Sequence, residues 1–299
     1  METDLLNKTF VVTGATSGIG QAVAAALAQR GAGIIGTGRS PERCRQAEAR
    51  LRALRPAGSI NYLAADLSVQ SEVHRLADEV METLNARGLA HLDGLVNNAG
   101  TFTYWLALTP DGIETQWAVN HLAPFLLTAR LLGALQAAPR ARVVTVSSDS
   151  HYGSHIDWQD PQLRRRYNGL RAYGNTKLAN ILFTLELNRR LGTQSSVRAF
   201  AADPGLVKTD IGLKGTPAVV NWVWKLRRSG GITPEESARG IVFLLTEPSI
   251  HDSAEIYWKD GHPKRASRAA LDEQAAARLW ALSEQMCGMK NEEPAYASA

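Results

Sequence analysis

Three observations predict that this chain forms an α/β fold, a single doubly wound parallel sheet of about seven strands with helices on both faces. Strand and helix patterns alternate along the whole sequence, a glycine-rich turn joins the first strand to the first helix, and polar residues recur just past strand ends. At 299 residues the chain fits one such domain, although length alone allows two. The expected organisation is one domain over residues 1–290, with a segment at 149–171 and a lid at 206–232 on the substrate side, and a frayed tail at 291–299.

Residues 8–13, Lys-Thr-Phe-Val-Val-Thr, are a short apolar, β-branched run that reads as a buried strand. The run enters Thr13-Gly-Ala-Thr-Ser-Gly-Ile-Gly20, and residues 21–30 then read as an Ala-rich helix closed by Gly31. Strand, glycine turn and helix in this order suit a dinucleotide. The glycines let the backbone approach a pyrophosphate, and the helix N-terminus offers free N–H groups and a positive dipole end. The spacing is Gly-x-x-x-Gly-x-Gly, with Gly14, Gly18 and Gly20 as its members.

A second strand is expected at 32–37 and a helix at 41–55 after Ser40, then a strand at 59–64 and a helix at 69–86. Residues 92–97 read as the fourth strand, 113–135 as a long helix and 142–147 as the fifth strand. A helix carrying Tyr173 runs to about Leu191, followed by a strand at 197–201, a helix at 235–245 after Pro234, a seventh strand at 256–258 and an amphipathic helix at 269–289. Ligands of such sheets lie beyond the carboxyl ends of the strands. Thr13, Asp66, Asn98, Ser148 and Pro204 all fall at or just past strand ends, so they converge on one crevice although the sequence scatters them.

Tyr173 and Lys177 are four residues apart in Arg171-Ala-Tyr-Gly-Asn-Thr-Lys177 and share one helix face. A cation beside a phenol favours the phenolate and pulls its pKa from about 10 toward neutrality. Tyr173 is thereby a candidate to give a proton to a carbonyl oxygen or to take one from an alcohol. Taken alone, the pair fits equally a helix with a half-buried Tyr and a solvated Lys.

With these residues in place, the chain resembles the short-chain dehydrogenase/reductase family over nearly its whole length. The matching pieces are Thr13-Gly-Ala-Thr-Ser-Gly-Ile-Gly20, Ala65-Asp-Leu67, Asn97-Asn-Ala-Gly100, Asn120, Val146-Ser-Ser148, Tyr173-x-x-x-Lys177 and Pro204-Gly205, in the family's order. Within the family it looks most like the retinol-dehydrogenase-like branch, on Val119-Asn-His-Leu122, the Lys-Leu-Ala-Asn-Ile-Leu-Phe run ending at Phe183, and Leu279-Trp280.

The resemblance implies a Rossmann-type fold that binds a nicotinamide dinucleotide. By it, Gly14, Thr16, Ser17, Gly18, Ile19 and Gly20 line the cofactor, Asp66 and Leu67 contact the adenine, and Asn98, Ala99 and Gly100 pass the adenosine ribose and pyrophosphate. Pro204, Gly205, Val207 and Thr209 wrap the nicotinamide amide. Ser148 holds the substrate oxygen, in preference to Ser147, which points to the other face if the strand persists. Tyr173 is the acid in reduction and the base in oxidation, Lys177 binds the nicotinamide ribose and lowers the Tyr173 pKa, and Asn120 holds a water linking Lys177 to solvent. Plainer roles stand beside these: Asp66 as a helix cap, Asn97 as a sheet stabiliser, Asn120 as a core amide at a helix kink.

The second strand ends Gly36-Thr-Gly-Arg-Ser40, with Gly38 where NAD enzymes place a carboxylate for the ribose 2′-hydroxyl and Arg39 next to it. A guanidinium suits a 2′-phosphate, so NADP(H) is favoured over NAD(H), with Ser40 and Arg43 as helpers. Ser17 departs from the basic residue that the family's NADP binders often carry there.

Residues 149–171 contain His151, Tyr152, His155, Trp158 and Tyr167, and residues 210–231 hold Trp222 and Trp224. These aromatics suit either a wall around a hydrophobic carbonyl or alcohol, or the core and a subunit interface. His151 and His155 have no evident third ligand, and no metal is expected.

Hydrophobic content of 44%, charged content of 21% and a net charge of +4 are those of an ordinary globular protein. The basic residues are dispersed apart from Arg164-Arg-Arg166, which reads as a solvated loop, and nucleic acid is not an expected partner. No apolar run of about 18 residues stands out, the acidic start Met1-Glu-Thr-Asp4 lacks signal-peptide features, and a membrane anchor ahead of the glycine turn has no room. Cys44 and Cys287 lie far apart, which fits a reducing, cytoplasmic location. The resemblance implies a homodimer or homotetramer assembled through the helices near 113–135 and 172–191. A catalytically idle redox-sensing or scaffold module and a sugar-nucleotide epimerase or dehydratase are the competing readings. The proton-transfer set disfavours the first, and the glycine spacing and limited C-terminal region disfavour the second.

Overall fold

The computed structural model describes residues 3–207 and 231–289. In chain order it contains β1 (Thr9–Val12), α1 (Gly18–Gln29), β2 (Gly33–Gly38), α2 (Pro41–Ala53), β3 (Ile60–Ala64), α3 (Gln70–Ala86) and β4 (Gly94–Asn97). These are followed by α4 (Thr115–Gln136), and then β5 (Ala141–Val146), α5 (Gly169–Leu191), β6 (Val197–Asp203), α6 (Pro234–Thr246), β7 (Tyr257–Lys259), β8 (His262–Pro263) and α7 (Glu273–Met286).

The strands form one sheet in the order β3-β2-β1-β4-β5-β6-β7-β8. All pairs are parallel except β7 with β8, which is antiparallel. The expected seven strands are therefore eight. The extra one is a two-residue edge strand containing Pro263, too short to leave a periodic pattern. It is joined to β7 by Asp260 and Gly261 at φ 49° and 76°. Positive φ at both central residues is the geometry of a two-residue hairpin turn matched to strand twist.

Alternation along each strand divides the core into two layers. Val11 and Val143 face the layer built with α3, α4, α5 and α7, whereas Phe10, Val12 and Val144 face the layer built with α1, α2 and α6. Phe125 on α4, Phe183 on α5 and Trp280 on α7 pack ring on ring at 4.9–5.9 Å and lock the first layer. By length and composition α4 is apolar enough to cross a bilayer, unlike the sequence expectation, but 78% of its apolar window is buried in this core. Within α4, residues Ala118–Leu122 form a π turn that ends two residues before Pro124, which lacks the N–H that a regular helix would use.

β1 has β2 on one side and β4 on the other, so the chain reverses its winding direction there. The gap between helices on opposite faces opens at this switch point, beyond the carboxyl ends of β1 and β4.

Candidate active site

β1 stops at Val12, and the next residues form the floor of the crevice. Thr13 Oγ1 accepts the N–H groups of Asn98 and Ala99, both at 3.0 Å, and the Asn98 side chain donates to Thr13 O at 2.8 Å. The turn after β1 is thereby stapled to the turn after β4. Gly14 has φ +66°, and a Cβ there would lie 3.0 Å from Ala99 Cα; Gly18 has φ +56°. A Cβ on Gly20 would come 2.5 Å from Gly14 O, so the turn folds back on α1 with no room for a side chain. α1 begins at Gly18, earlier than the expected residue 21, and takes Gly18, Ile19 and Gly20 into its first turn. Ser17 is its N-cap but makes no side-chain capping bond, so the first N–H groups keep their donors for another acceptor. Thr16 and Ser17 complete the turn, half-buried and exposed respectively. A glycine cradle against an uncapped helix start fits a dinucleotide pyrophosphate.

Arg39 stands exposed at the end of β2, beside exposed Arg43. A Cβ at Gly38 would lie 2.4 Å from Thr16 Cγ2, so a carboxylate side chain at the position where one would read a ribose hydroxyl requires Thr16 to move. Ser40 is occupied as the N-cap of α2, its Oγ accepting from Arg43 N at 3.3 Å.

Asp66 and Leu67 are half-buried just past β3. Asp66 accepts from Ser68 N at 3.0 Å and so shapes the turn, but the N-cap of α3 is Val69, not Asp66. Asn97 donates to Thr128 Oγ1 at 3.0 Å and to Thr145 Oγ1 at 3.4 Å inside the core. Asn98, Ala99 and Gly100 lie half-buried beside the glycine turn.

At the end of β5 the two serines separate as strand alternation predicts. Ser147 is buried and donates to Lys177 O at 2.8 Å. Ser148, in extended backbone, is partly exposed and accepts from Ser150 N at 3.1 Å. Lys177 Nζ donates to Val146 O at 3.0 Å, and Asn180 Nδ2 donates to the same carbonyl at 3.1 Å. The side chains of Ser148, Tyr173 and Lys177 thus belong to two elements bonded to each other at one strand end. Asn120, in the π turn of α4, accepts from Thr101 N at 2.7 Å and donates to Thr101 O at 2.9 Å and Thr176 Oγ1 at 3.2 Å. It ties the loop after β4 to the helix of Tyr173.

Tyr173 packs edge-on to Phe102 with ring centroids 6.0 Å apart, and Lys177 Nζ lies 5.3 Å from the Tyr173 centroid. Burial pushes the Tyr173 phenol up to about 12, and the Asp203 carboxylate adds to the rise. Burial pushes the Lys177 ammonium down to about 8. The expected lowering of Tyr173 by Lys177 is reversed, because desolvation of the phenolate outweighs a cation that is itself desolvated.

Asp203, at the end of β6, receives Lys264 Nζ at 2.7 Å, and Lys264 also pairs with Asp149, one residue beyond Ser148. Asp203 Oδ1 accepts from Gly205 N at 3.0 Å and sets the Pro204-Gly205 turn, where Gly205 has φ +72°. Val207 pairs with Ile232 in a parallel bridge, while Thr209, Trp222, Trp224 and most of the lid at 206–232 lie outside the described residues, as does the tail at 291–299.

In the 149–171 segment most aromatics serve the fold. His151 is buried, with Nδ1 2.8 Å from Ser148 O and Nε2 accepting from Ser267 N at 3.1 Å. His155 Nε2 takes Arg171 at 2.8 Å, Trp158 lies under the Arg278 guanidinium, and the Tyr167 hydroxyl donates to Glu114 at 2.9 Å. The two histidines thus have separate partners. Exposed apolar side chains instead follow Phe102 in the loop after β4, at Trp105, Leu106 and Leu108, and open α5 at Leu170. Thr13 lies in the crevice as its place at a strand end predicts, whereas Asn180 and the Asp203–Lys264 pair are contributors that the sequence does not reveal, because their contacts join elements distant in sequence.

A family model described as short chain dehydrogenase matches residues 8–217. Retinol dehydrogenase 14 of Mus musculus is 35% identical to this chain over 301 aligned residues, covering 94% of the chain and 86% of that protein. A crystal structure of an uncharacterized protein from Mycobacterium paratuberculosis superposes with a TM-score of 0.72 at 34% identity, covering 98% of this chain and 99% of that one. A metagenomic short-chain oxidoreductase in complex with NADP superposes with a TM-score of 0.63 at 26% identity, covering 87% of this chain and 99% of that one.

Proposed function

The chain belongs to the short-chain dehydrogenase family, a family of oxidoreductases that bind a nicotinamide dinucleotide, and from that premise we propose an NADP(H)-dependent enzyme acting on a hydrophobic ketone, aldehyde or alcohol. The observation that carries this reading is the bonding of α5 to the end of β5, which sets Ser148, Tyr173 and Lys177 at one strand end of the glycine-turn crevice.

When bound, the nicotinamide supplies or accepts the hydride. The glycine turn and the uncapped start of α1 would hold the pyrophosphate, with Asp66, Leu67, Asn98, Ala99 and Gly100 along the adenosine and Pro204, Gly205 and Val207 toward the nicotinamide. Lys177 holds ribose hydroxyls. Ser148 donates to the substrate oxygen without being ionised. Tyr173 keeps its phenol proton at neutral pH, because its pKa is about 12, and gives that proton to the developing alkoxide in the reductive direction. Oxidation of an alcohol requires the phenolate and is therefore favoured by alkaline pH. Asn120 holds the loop after β4 against α5, the geometry that a proton path to Lys177 would need.

Preference for NADP(H) is supported by exposed Arg39, by glycine rather than a carboxylate at crowded position 38, and by the NADP bound in the similar metagenomic oxidoreductase. A hydrophobic, polyene-like substrate is supported by the apolar loop from Trp105 to Leu108 and by the likeness to retinol dehydrogenase 14.

The test is NADPH and NADH consumption across a panel of aldehydes, ketones and quinones including retinal, with Tyr173→Phe as control. Turnover preferring NADPH and falling by about 10²-fold or more in the variant, with cofactor binding intact, is the expected result. Undiminished turnover in Tyr173→Phe would remove Tyr173 as the acid, and cofactor binding without turnover of any member would favour a redox-sensing role.

A further inference from the structure

A cavity of about 350 Å³ opens at the β3 edge of the sheet, at the amino end of that strand, where α2 and α3 end. Its walls include Arg52, Arg55, Ser59, Asn61 and Arg87. Arg87 follows α3, and its Nη1 and Nη2 atoms are shut off from solvent with no hydrogen-bond partner among the described residues. Arg52 is already engaged, donating to Ile60 O at 2.9 Å and pairing with Glu48 at 2.6 Å. Arg55 is exposed just past α2 and sits at φ 51°, a left-handed conformation that a non-glycine residue adopts at a cost.

The charges here do not balance. Three guanidiniums meet one carboxylate, Glu48, and two helix C-termini worth about half a negative charge each, which leaves a surplus of about one positive charge. Burial and the nearby Arg52 both push the Arg87 pKa down, as expected where cations crowd one another. A buried donor left without an acceptor is costly, and an oxyanion supplies several acceptors at once in the planar geometry a guanidinium fork prefers.

We propose that this cavity is a second anion site, taking a small soluble oxyanion of the phosphate class, held by exposed Arg55 with Ser59 and Asn61 as hydroxyl and amide partners, and by Arg87 once its enclosed Nη1 and Nη2 turn out toward the anion. The volume admits a phosphomonoester with a modest organic group. The site lies at the amino end of β3 and the glycine turn at the carboxyl end of β1, so it is distinct from any cofactor phosphate position. An anion here would join the ends of α2 and α3 to β3 and stabilise the edge of the sheet.

The experiment is thermal unfolding of the full chain in inorganic phosphate against potassium chloride of equal ionic strength. It is done with saturating NADPH and again in an Arg39→Ala background, so that phosphate entering the crevice is separated from phosphate entering this cavity. The expected result is a Tm rise of roughly 2–4 °C at about ten times Kd. The rise persists under NADPH and in Arg39→Ala, and is lost in Arg87→Gln and in Arg55→Gln. Arg55→Gln should keep full basal turnover. A rise no larger than chloride gives, or an equal rise in the two cavity variants, overturns the proposal. Should Arg87→Gln fail to fold, Arg55→Gln decides the outcome, since its side chain is exposed.

Discussion

Between β1 and α1 the candidate crevice is lined by backbone, whereas between β5 and α5 it is lined by side chains. In the first region Gly14 and Gly18 take positive φ, and Gly20 lies against Gly14 O. In the second, Ser147, Lys177 and Asn180 each spend a polar group on holding helix to strand, and Ser148 and Tyr173 stand beside them. The two regions are therefore vulnerable to opposite changes. The first is damaged by atoms added, because it works by close approach. The second is damaged by functional groups removed, because it works by proton and hydrogen-bond chemistry.

The sharpest way to break this contrast is Gly20→Ala. Within a helix that change ordinarily stabilises by roughly 0.5–1 kcal/mol. Here the new Cβ would lie 2.5 Å from Gly14 O, so Tm should fall instead. Dinucleotide affinity should also fall by about 100-fold, or ~2.7 kcal/mol, in a fluorescence titration. Intact affinity would show that backbone approach does not limit binding.

The serine pair sharpens the second half of the comparison. Ser148→Ala should lower kcat/KM by about 10²-fold with little change in Tm. Ser147→Ala should lose about 1 kcal/mol of stability through its bond to Lys177 O and affect turnover less. The reverse pattern, read by steady-state kinetics and denaturant unfolding, would exchange their roles. Arg39→Asp should move the NADPH-to-NADH preference by about tenfold toward NADH through lost phosphate pairing. A preference that stays put would take Arg39 out of the site.

The smallest effect concerns Lys177 and pH. Its pKa is pushed down to about 8 in the fold, against about 10.4 in an unfolded chain. Between those values the unfolded chain holds a proton that the folded chain has shed, so stability rises with pH from about 8 to about 10, by at most ~1.4 kcal/mol per unit. Above about 10 the raised Tyr173 pKa works in the other direction. Urea unfolding of wild type and Lys177→Met across this window should diverge accordingly; parallel curves would mean that the buried lysine keeps its proton.

The glycine turn, the strand ends and the Tyr173–Lys177 spacing were legible in the sequence because each leaves a local pattern. β8 was not, although Asp260-Gly261 is the dipeptide most suited to a two-residue hairpin and was available as a signal. Contacts such as Thr13 with Ala99, Asn180 with Val146 and Lys264 with Asp203 join elements far apart in sequence, and periodicity carries no information about them. The direction of the Tyr173 shift was misread for the same reason. Proximity to Lys177 is visible in a spacing of four, but desolvation depends on what the fold packs around the ring, Phe102 among it. Likewise the sequence leaves Trp158 and Tyr167 open between a pocket wall and the core or an interface, and only their contacts with Arg278 and Glu114 tie them to the fold.

Three hydrogen bonds tie α5 to the end of β5: Ser147 Oγ to Lys177 O, Lys177 Nζ to Val146 O and Asn180 Nδ2 to Val146 O. A slip of the helix by a single residue, about 1.5 Å, would break all of them. The register of this helix is consequently a fixed mechanical reference. Exposed positions between 152 and 166 can change while the proton donor keeps its place against the strand, provided that buried Ile156 and Leu163, the Trp158–Arg278 and Tyr167–Glu114 contacts and the Asn168 N-cap of the helix are kept. Substrate range and reaction chemistry can then diverge as separate modules, by changes at those loop positions on the one hand and by point changes in the helix on the other.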